Sequence, residues 1–204
     1  MRRAIILLII VLIGIFTIAC SEVKNKKGPD PVVYSAQKQN TEVDVFDFEA
    51  AYSICKDLLK NYYEAALCGR QLDTTPFITN KNLNQYIKLK CKDGKTIVTE
   101  ETLTISYGLD DIKWNFDDEY GYLKVVAEVG QDGGSFSESN QFLVCNHQGN
   151  LVIVDWYSEG VGTPGSLDES IRKDIKNINN PKIWDNQKFA DEILKLANAV
   201  VKQQ

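Results

Sequence analysis

The chain predicts an α+β fold, and two observations predict it. Beyond Phe46, apolar residues recur at three- and four-residue steps, alternate at period two through the middle, and return to helical spacing in the tail. No strand-like run follows Ser166, so the strands form one block with helices before and after it. The expectation is two N-terminal helices packed on an antiparallel sheet of about four to six strands, followed by C-terminal helices.

The elements follow in order. Phe48, Tyr52, Cys55, Leu59, Tyr62 and Ala66 mark one face of a long amphipathic helix, with Gly69 as its stop. After Asp73-Thr74-Thr75-Pro76, a second helix is predicted from about Asn80 to Cys91, with Leu83, Ile87 and Cys91 as its stripe. Leu103, Ile105 and Tyr107 then alternate with polar residues. Ile112, Trp114 and Phe116 do the same, as do Leu123, Val125, Ala127 and Val129. The runs Phe142 to Cys145 and Leu151 to Tyr157 flank Asn146-His147-Gln148-Gly149-Asn150, a hairpin loop by composition. Ser166 and Glu169 fit a capping box, opening a helix with Ile171, Ile175 and Ile178 that Asn179-Asn180-Pro181 ends. A last helix is predicted from about Asn186 to Lys202 through Phe189, Ile193, Leu196 and Val200.

Ahead of this domain, Arg2 and Arg3 precede an uncharged apolar run from Ala4 to Ala19 that ends at Cys20. This is the layout of a secretory signal. Thr17-Ile18-Ala19-Cys20, followed by Ser21, resembles a bacterial lipobox, with Thr17 where leucine is commoner. The resemblance implies a signal peptide over 1–19, a diacylglycerol on the Cys20 thiol, and membrane attachment on the extracytoplasmic face. The alternative is an uncleaved anchor, for which the run is shorter than the roughly 20 residues a spanning helix needs. Residues 20–45 are polar, carry Gly28, Pro29 and Pro31, and place Lys24, Lys26 and Lys27 near the lipid, so they are expected to form a tether. The domain is expected over 46–204.

Composition narrows the function classes. The 204 residues are 44% hydrophobic and 25% charged, with a net charge of −5, ordinary values for a globular chain. No basic stripe interleaves with aromatics, so nucleic acid is not an expected partner. Beyond Cys20, the chain has Cys55, Cys68, Cys91 and Cys145, no C-x-x-C pair and one histidine, His147. Zinc would lack the usual close ligand pairs, and no metal is expected. Free buried thiols and one disulfide both remain open; the favoured bridge is Cys55 to Cys91, across a helical hairpin.

Two helices before an antiparallel sheet resemble the cone-shaped nuclear transport factor 2-like fold, which includes ketosteroid isomerases. The segments Leu58-Leu59-Lys60-Asn61-Tyr62-Tyr63-Glu64-Ala65-Ala66, Phe77-Ile78-Thr79-Asn80-Lys81-Asn82-Leu83, Val154-Asp155-Trp156-Tyr157 and Leu167-Asp168-Glu169-Ser170-Ile171-Arg172 are similar to an exported clostridial and Firmicute module. That module often precedes a putative amidase domain. The resemblance implies a curved sheet and no chemistry of its own; with the chain ending at Gln204, no amidase domain is expected to follow.

Four candidate sites need weighing. Gly160-Val161-Gly162-Thr163-Pro164-Gly165 matches G-x-G-x-x-G, with Asp185 about 20 residues on, but no second parallel strand follows to carry that acid. No cofactor is expected. His147 sits in a hairpin loop without a partner placed by sequence. Asp110-Asp111 and Asp117-Asp118-Glu119 lack the regular oxygen spacing of a calcium loop. Asp155 is the better candidate. If Ile153, Asp155 and Tyr157 share a face, a concave-side acid lined by Tyr62, Tyr63, Trp114 and Tyr157 would suit a general base or a binding anchor. The competing reading has Trp156 in the core and Asp155 bonding neighbouring backbone.

The functional expectation is a membrane-anchored binding or scaffolding module, non-catalytic, taking a small molecule, a cell-wall component or an exported protein. The rival is a ketosteroid-isomerase-like enzyme using Asp155.

Overall fold

A computed structural model describes residues 47–92, 99–114, 119–147, 149–161, 167–174 and 178–203. The signal, Cys20, the tether, Asp117-Asp118 and 162–166, including the predicted cap Ser166, lie outside the described residues. The class is α+β, as the periodicities require. Two helices, α1 (Phe48–Cys68) and α2 (Lys81–Lys92), precede four strands: β1 (Thr104–Trp114), β2 (Tyr120–Gln131), β3 (Gly134–His147) and β4 (Asn150–Val161). A short helix α3 (Leu167–Ile171), a 3₁₀ turn (Ile183–Asp185) and α4 (Gln187–Lys202) follow. The strands form an antiparallel meander in the order β1-β2-β3-β4. Among the described helices, none is long and apolar enough to cross a membrane.

Local chemistry fixes the helix ends. Asp47 accepts the Ala50 N–H at 3.0 Å and starts α1. Gly69, at φ 71°, ends it with an N–H returned to the Glu64 carbonyl. Asn80 Oδ1 accepts the N–H groups of Asn82 and Leu83 at the start of α2, and Asn186 accepts that of Phe189 at the start of α4.

The buried line of α1 runs through Ala51, Ile54, Cys55, Leu58, Leu59 and Tyr62, leaving the predicted Phe48, Tyr52 and Ala66 at its margins. The buried face is wider than one stripe because α1 packs on both α2 and the sheet. Leu123, Val125, Ala127 and Val129 of β2 meet it from below, with Phe142 and Val144 of β3 and Ile153 and Trp156 of β4.

Two bulges alter the strand pattern. The runs around Ile105 and Ile112, expected as separate strands, are one strand whose register shifts between Leu109 and Asp111. A second shift puts Ile153 opposite Val144 but Asp155 opposite Leu143, leaving Val154 unpaired. Each extra residue bends its strand and inverts the alternation beyond it. The β3–β4 hairpin is also tighter than expected: the strands reach His147 and Asn150, with Gly149 at φ 83° in the turn.

The helix expected from the Ser166 cap to Ile178 is only five residues long. Arg172 N–H still bonds the Asp168 carbonyl at 2.7 Å, but both side chains turn to the backbone edge of β4. Ile178 then packs with Leu143 and Tyr157 in a small cluster apart from the main core.

Candidate functional site

The strongest concentration of charge lies at the free edge of β4. Lys90 from α2, Asp155 from β4, and Asp168 and Arg172 from the α3 segment are each at most 3% exposed. Two cations face two carboxylates, so the cluster is balanced.

Arg172 joins the two acids. Its Nη2 donates to Asp155 Oδ2 at 2.9 Å and Oδ1 at 3.1 Å, and its Nη1 donates to the Trp156 carbonyl at 2.9 Å. Nη1 also lies 3.5 Å from Asp168 Oδ1. The rings of Tyr86, Tyr157 and Trp184 surround the guanidinium, at 5.8, 5.7 and 5.3 Å from Cζ. Burial opposes the charge, but the Asp155 and Asp168 carboxylates outweigh it and hold Arg172 above the ordinary arginine value.

Asp168 is the second junction. It accepts from Tyr86 Oη at 2.6 Å, Lys90 Nζ at 2.5 Å and the Ser158 N–H at 2.9 Å. Burial works against its ionisation, yet Lys90 and Arg172 prevail and hold the carboxyl below the usual range. Lys90 also stands 3.6 Å above the Trp156 ring.

Asp155 is therefore not an open acid. Its oxygens take Arg172, the Trp184 Nε1–H at 2.7 Å and the Trp156 N–H at 2.9 Å. These bonds belong to the competing sequence reading, in which Asp155 bonds its neighbours and Trp156 fills the core.

Tyr62 and Tyr63 do not converge on Asp155. Tyr62 and Tyr63 lie on the helix side of the sheet, with Tyr62 edge-on to Trp156 at 4.9 Å. Tyr157 lies on the opposite side with Leu143 and Ile178. The bulge at Val154 explains this: Ile153 and Trp156 enter the main core, whereas Val154 and Tyr157 face away. The backbone of Trp114 pairs with Gly121 at the end of β1. His147 is exposed.

The Cys55–Cys91 bridge is not formed; Cys55, Cys68, Cys91 and Cys145 are free thiols. Tyr62 Oη donates to the Lys90 carbonyl at 3.4 Å, so the end of α2 lies beside Tyr62. Cys55 stands two helical turns back along α1, about 10 Å away. Burial raises the Cys55 and Cys91 thiol pKa values, which disfavours the nucleophilic thiolate. Among the described residues, no group of three His, Cys, Asp or Glu could hold a metal ion.

A second polar group lies on the helix side of β3. Tyr63 Oη donates to Glu138 Oε2 at 2.5 Å, and Asn140 Nδ2 donates to the Glu138 carbonyl at 3.1 Å. Asn140 Oδ1 accepts the Trp156 Nε1–H at 3.0 Å. Burial first, and the Glu138 charge second, push the Tyr63 hydroxyl well above the ordinary tyrosine value, so it remains a donor.

Sequence reasoning singled out Asp155 but missed Lys90, Glu138 and Asn140, and gave Asp168 no role of its own. A signal was available: Asp168 and Arg172 stand four residues apart, facing alike on one helical turn. Lys90 offered one too: it stands at helical spacing from Leu83, Tyr86 and Ile87, on the buried face of α2. No protein-family model matches the chain, and no curated protein or solved structure matches it either.

Proposed function

We propose that this chain is a lipoprotein anchored through Cys20 to the extracytoplasmic face of a bacterial membrane. Its α+β domain, built on the cone-type plan, serves there as a non-catalytic binding or scaffolding module. The Arg2-Arg3 start, the apolar run and the Ala19-Cys20-Ser21 junction support the address. The state of Asp155 carries the non-catalytic reading: among the described residues, every hydrogen bond it makes is to Arg172, Trp184 or the Trp156 backbone, within a neutral buried cluster. A general base needs a lone pair aimed at substrate, and these bonds hold the carboxylate against the protein instead. Its partner is an exported protein, a cell-wall component or a small molecule.

Two experiments test the two halves. Cys20→Ser should release the protein from membranes or leave an unprocessed precursor, and mass spectrometry of the native N-terminus should show acyl chains on Cys20. An intact, unmodified Met1 terminus ends the lipid reading. For the module, native-membrane crosslinking and pulldown should capture a partner or wall fragment. A turnover abolished by Asp155→Asn in a protein that still unfolds cooperatively at the native midpoint would establish the isomerase-like enzyme instead.

A further inference from the structure

Three acids are buried among the described residues, and two have cations. Asp155 is paired with Arg172, and Asp168 with Lys90 and Arg172. Glu138 is 8% exposed, yet no lysine or arginine among the described residues lies within ion-pair distance of it. Among the described residues, its only side-chain partner is the Tyr63 hydroxyl. A buried carboxylate without a counter-charge is costly and needs an explanation.

The surroundings indicate what would supply that charge. Glu138 stands opposite Ala127 of β2 and Gly160 of β4, so only a methyl group and a hydrogen flank it across the sheet. Tyr107, opposite Ala127 in the same cross-strand row, has a buried hydroxyl with no hydrogen-bond partner among the described residues. Aromatic surface is close: the Tyr63 and Phe136 rings meet edge-on at 6.2 Å, and Phe136 is only partly buried. Lys90 and Arg172 are already held by Asp168 and Asp155.

We infer that Glu138, with Tyr63 and Phe136 beside it, is a binding site for a primary alkylammonium group. The carboxylate supplies the charge and an acceptor for N–H donors, and the rings add cation–π attraction. An anion there would be repelled by the Glu138 carboxylate, with which the Tyr63 hydroxyl is already bonded. This deepens the binding-module reading by naming a ligand class, and it is independent of the lipid on Cys20.

The probe is n-butylammonium chloride, titrated into the full chain in non-ionic detergent. Sodium chloride at equal ionic strength is the control, with calorimetry and thermal unfolding as readouts. The expected result is saturable heat and a rising midpoint with butylammonium alone, both lost in Glu138→Gln. Should Glu138→Gln fail to fold, Glu138→Asp keeps the charge one methylene back, and the Kd should rise about tenfold through the weakened charge-assisted bond. No saturable binding to the native chain, equal binding by Glu138→Gln, or an unchanged Kd in Glu138→Asp overturns the assignment. Such a failure leaves partner capture by the module standing. Turnover lost in folded Asp155→Asn would remove the module reading whatever butylammonium does.

Discussion

The two edges of the sheet are treated in opposite ways. Along β4, the Ile153 N–H donates to the Phe77 carbonyl at 2.9 Å, the Trp156 carbonyl accepts from Arg172, and the Ser158 N–H donates to Asp168. A loop carbonyl, a guanidinium and a carboxylate thus stand where a fifth strand would. Along β1, Leu109 and Ile112 are 40% and 39% exposed on the helix side of the sheet, and protection comes from a bulge and from Asp110, Asp111 and Lys113. Both are known ways of managing an edge. The comparison changes how the charges are read: Asp155, Asp168, Lys90 and Arg172 look catalytic by type, and they close an edge by position.

The contrast breaks most easily at Arg172. Arg172→Met keeps much of the volume but leaves Asp155 buried without a cation, and a loss of about 3–5 kcal/mol is expected in urea unfolding. A loss below about 1 kcal/mol would mean that the network does not hold the edge.

Asp168→Asn should cost nearly as much and should also alter the acid response. The folded Asp168 carboxyl lies below its unfolded value. Its contribution is therefore complete above about pH 4 and disappears as the pH falls through the lower folded value. Urea midpoints for the native chain should fall over that range, and Asp168→Asn should flatten the fall. Parallel profiles would assign acid sensitivity to other carboxylates.

Trp184→Phe removes one neutral donor to Asp155 while keeping most of the ring. About 1.5–3 kcal/mol should be lost, the range for a bond to a charged group. The smallest effect belongs to the open edge: Ile112→Thr should shift stability by no more than about 0.5 kcal/mol. Hydrogen exchange sharpens the same point, with the Ile153 and Ser158 amides protected although their strand is at an edge.

Much of the fold was legible in the sequence because periodicity is a local property. The step from period 3.6 to period two and back located both leading helices, the strand block and α4. The bulges were partly visible: Ile105 and Ile112 differ in parity, which suggested two strands and proved to be one with an extra residue. The α3 segment was misjudged because Ile171, Ile175 and Ile178 keep helical spacing, while Asp168 and Arg172 carry a stronger tertiary demand. The candidate site was less legible still. Lys90 and Asp168 are 78 positions apart, and Tyr63 and Glu138 are 75 apart. No spacing rule reaches across such separations.

The sequence alone determined the class, the order of the elements, and an N-terminus with the pattern of a lipid-modified export signal. These depend on neighbouring residues, whose chemistry acts over one or two turns. The tertiary structure decided which charges are buried, which acid lacks a cation among the described residues and which edge is closed. Those outcomes depend on desolvation and on partners brought together from distant elements, and both exist only once the chain is packed.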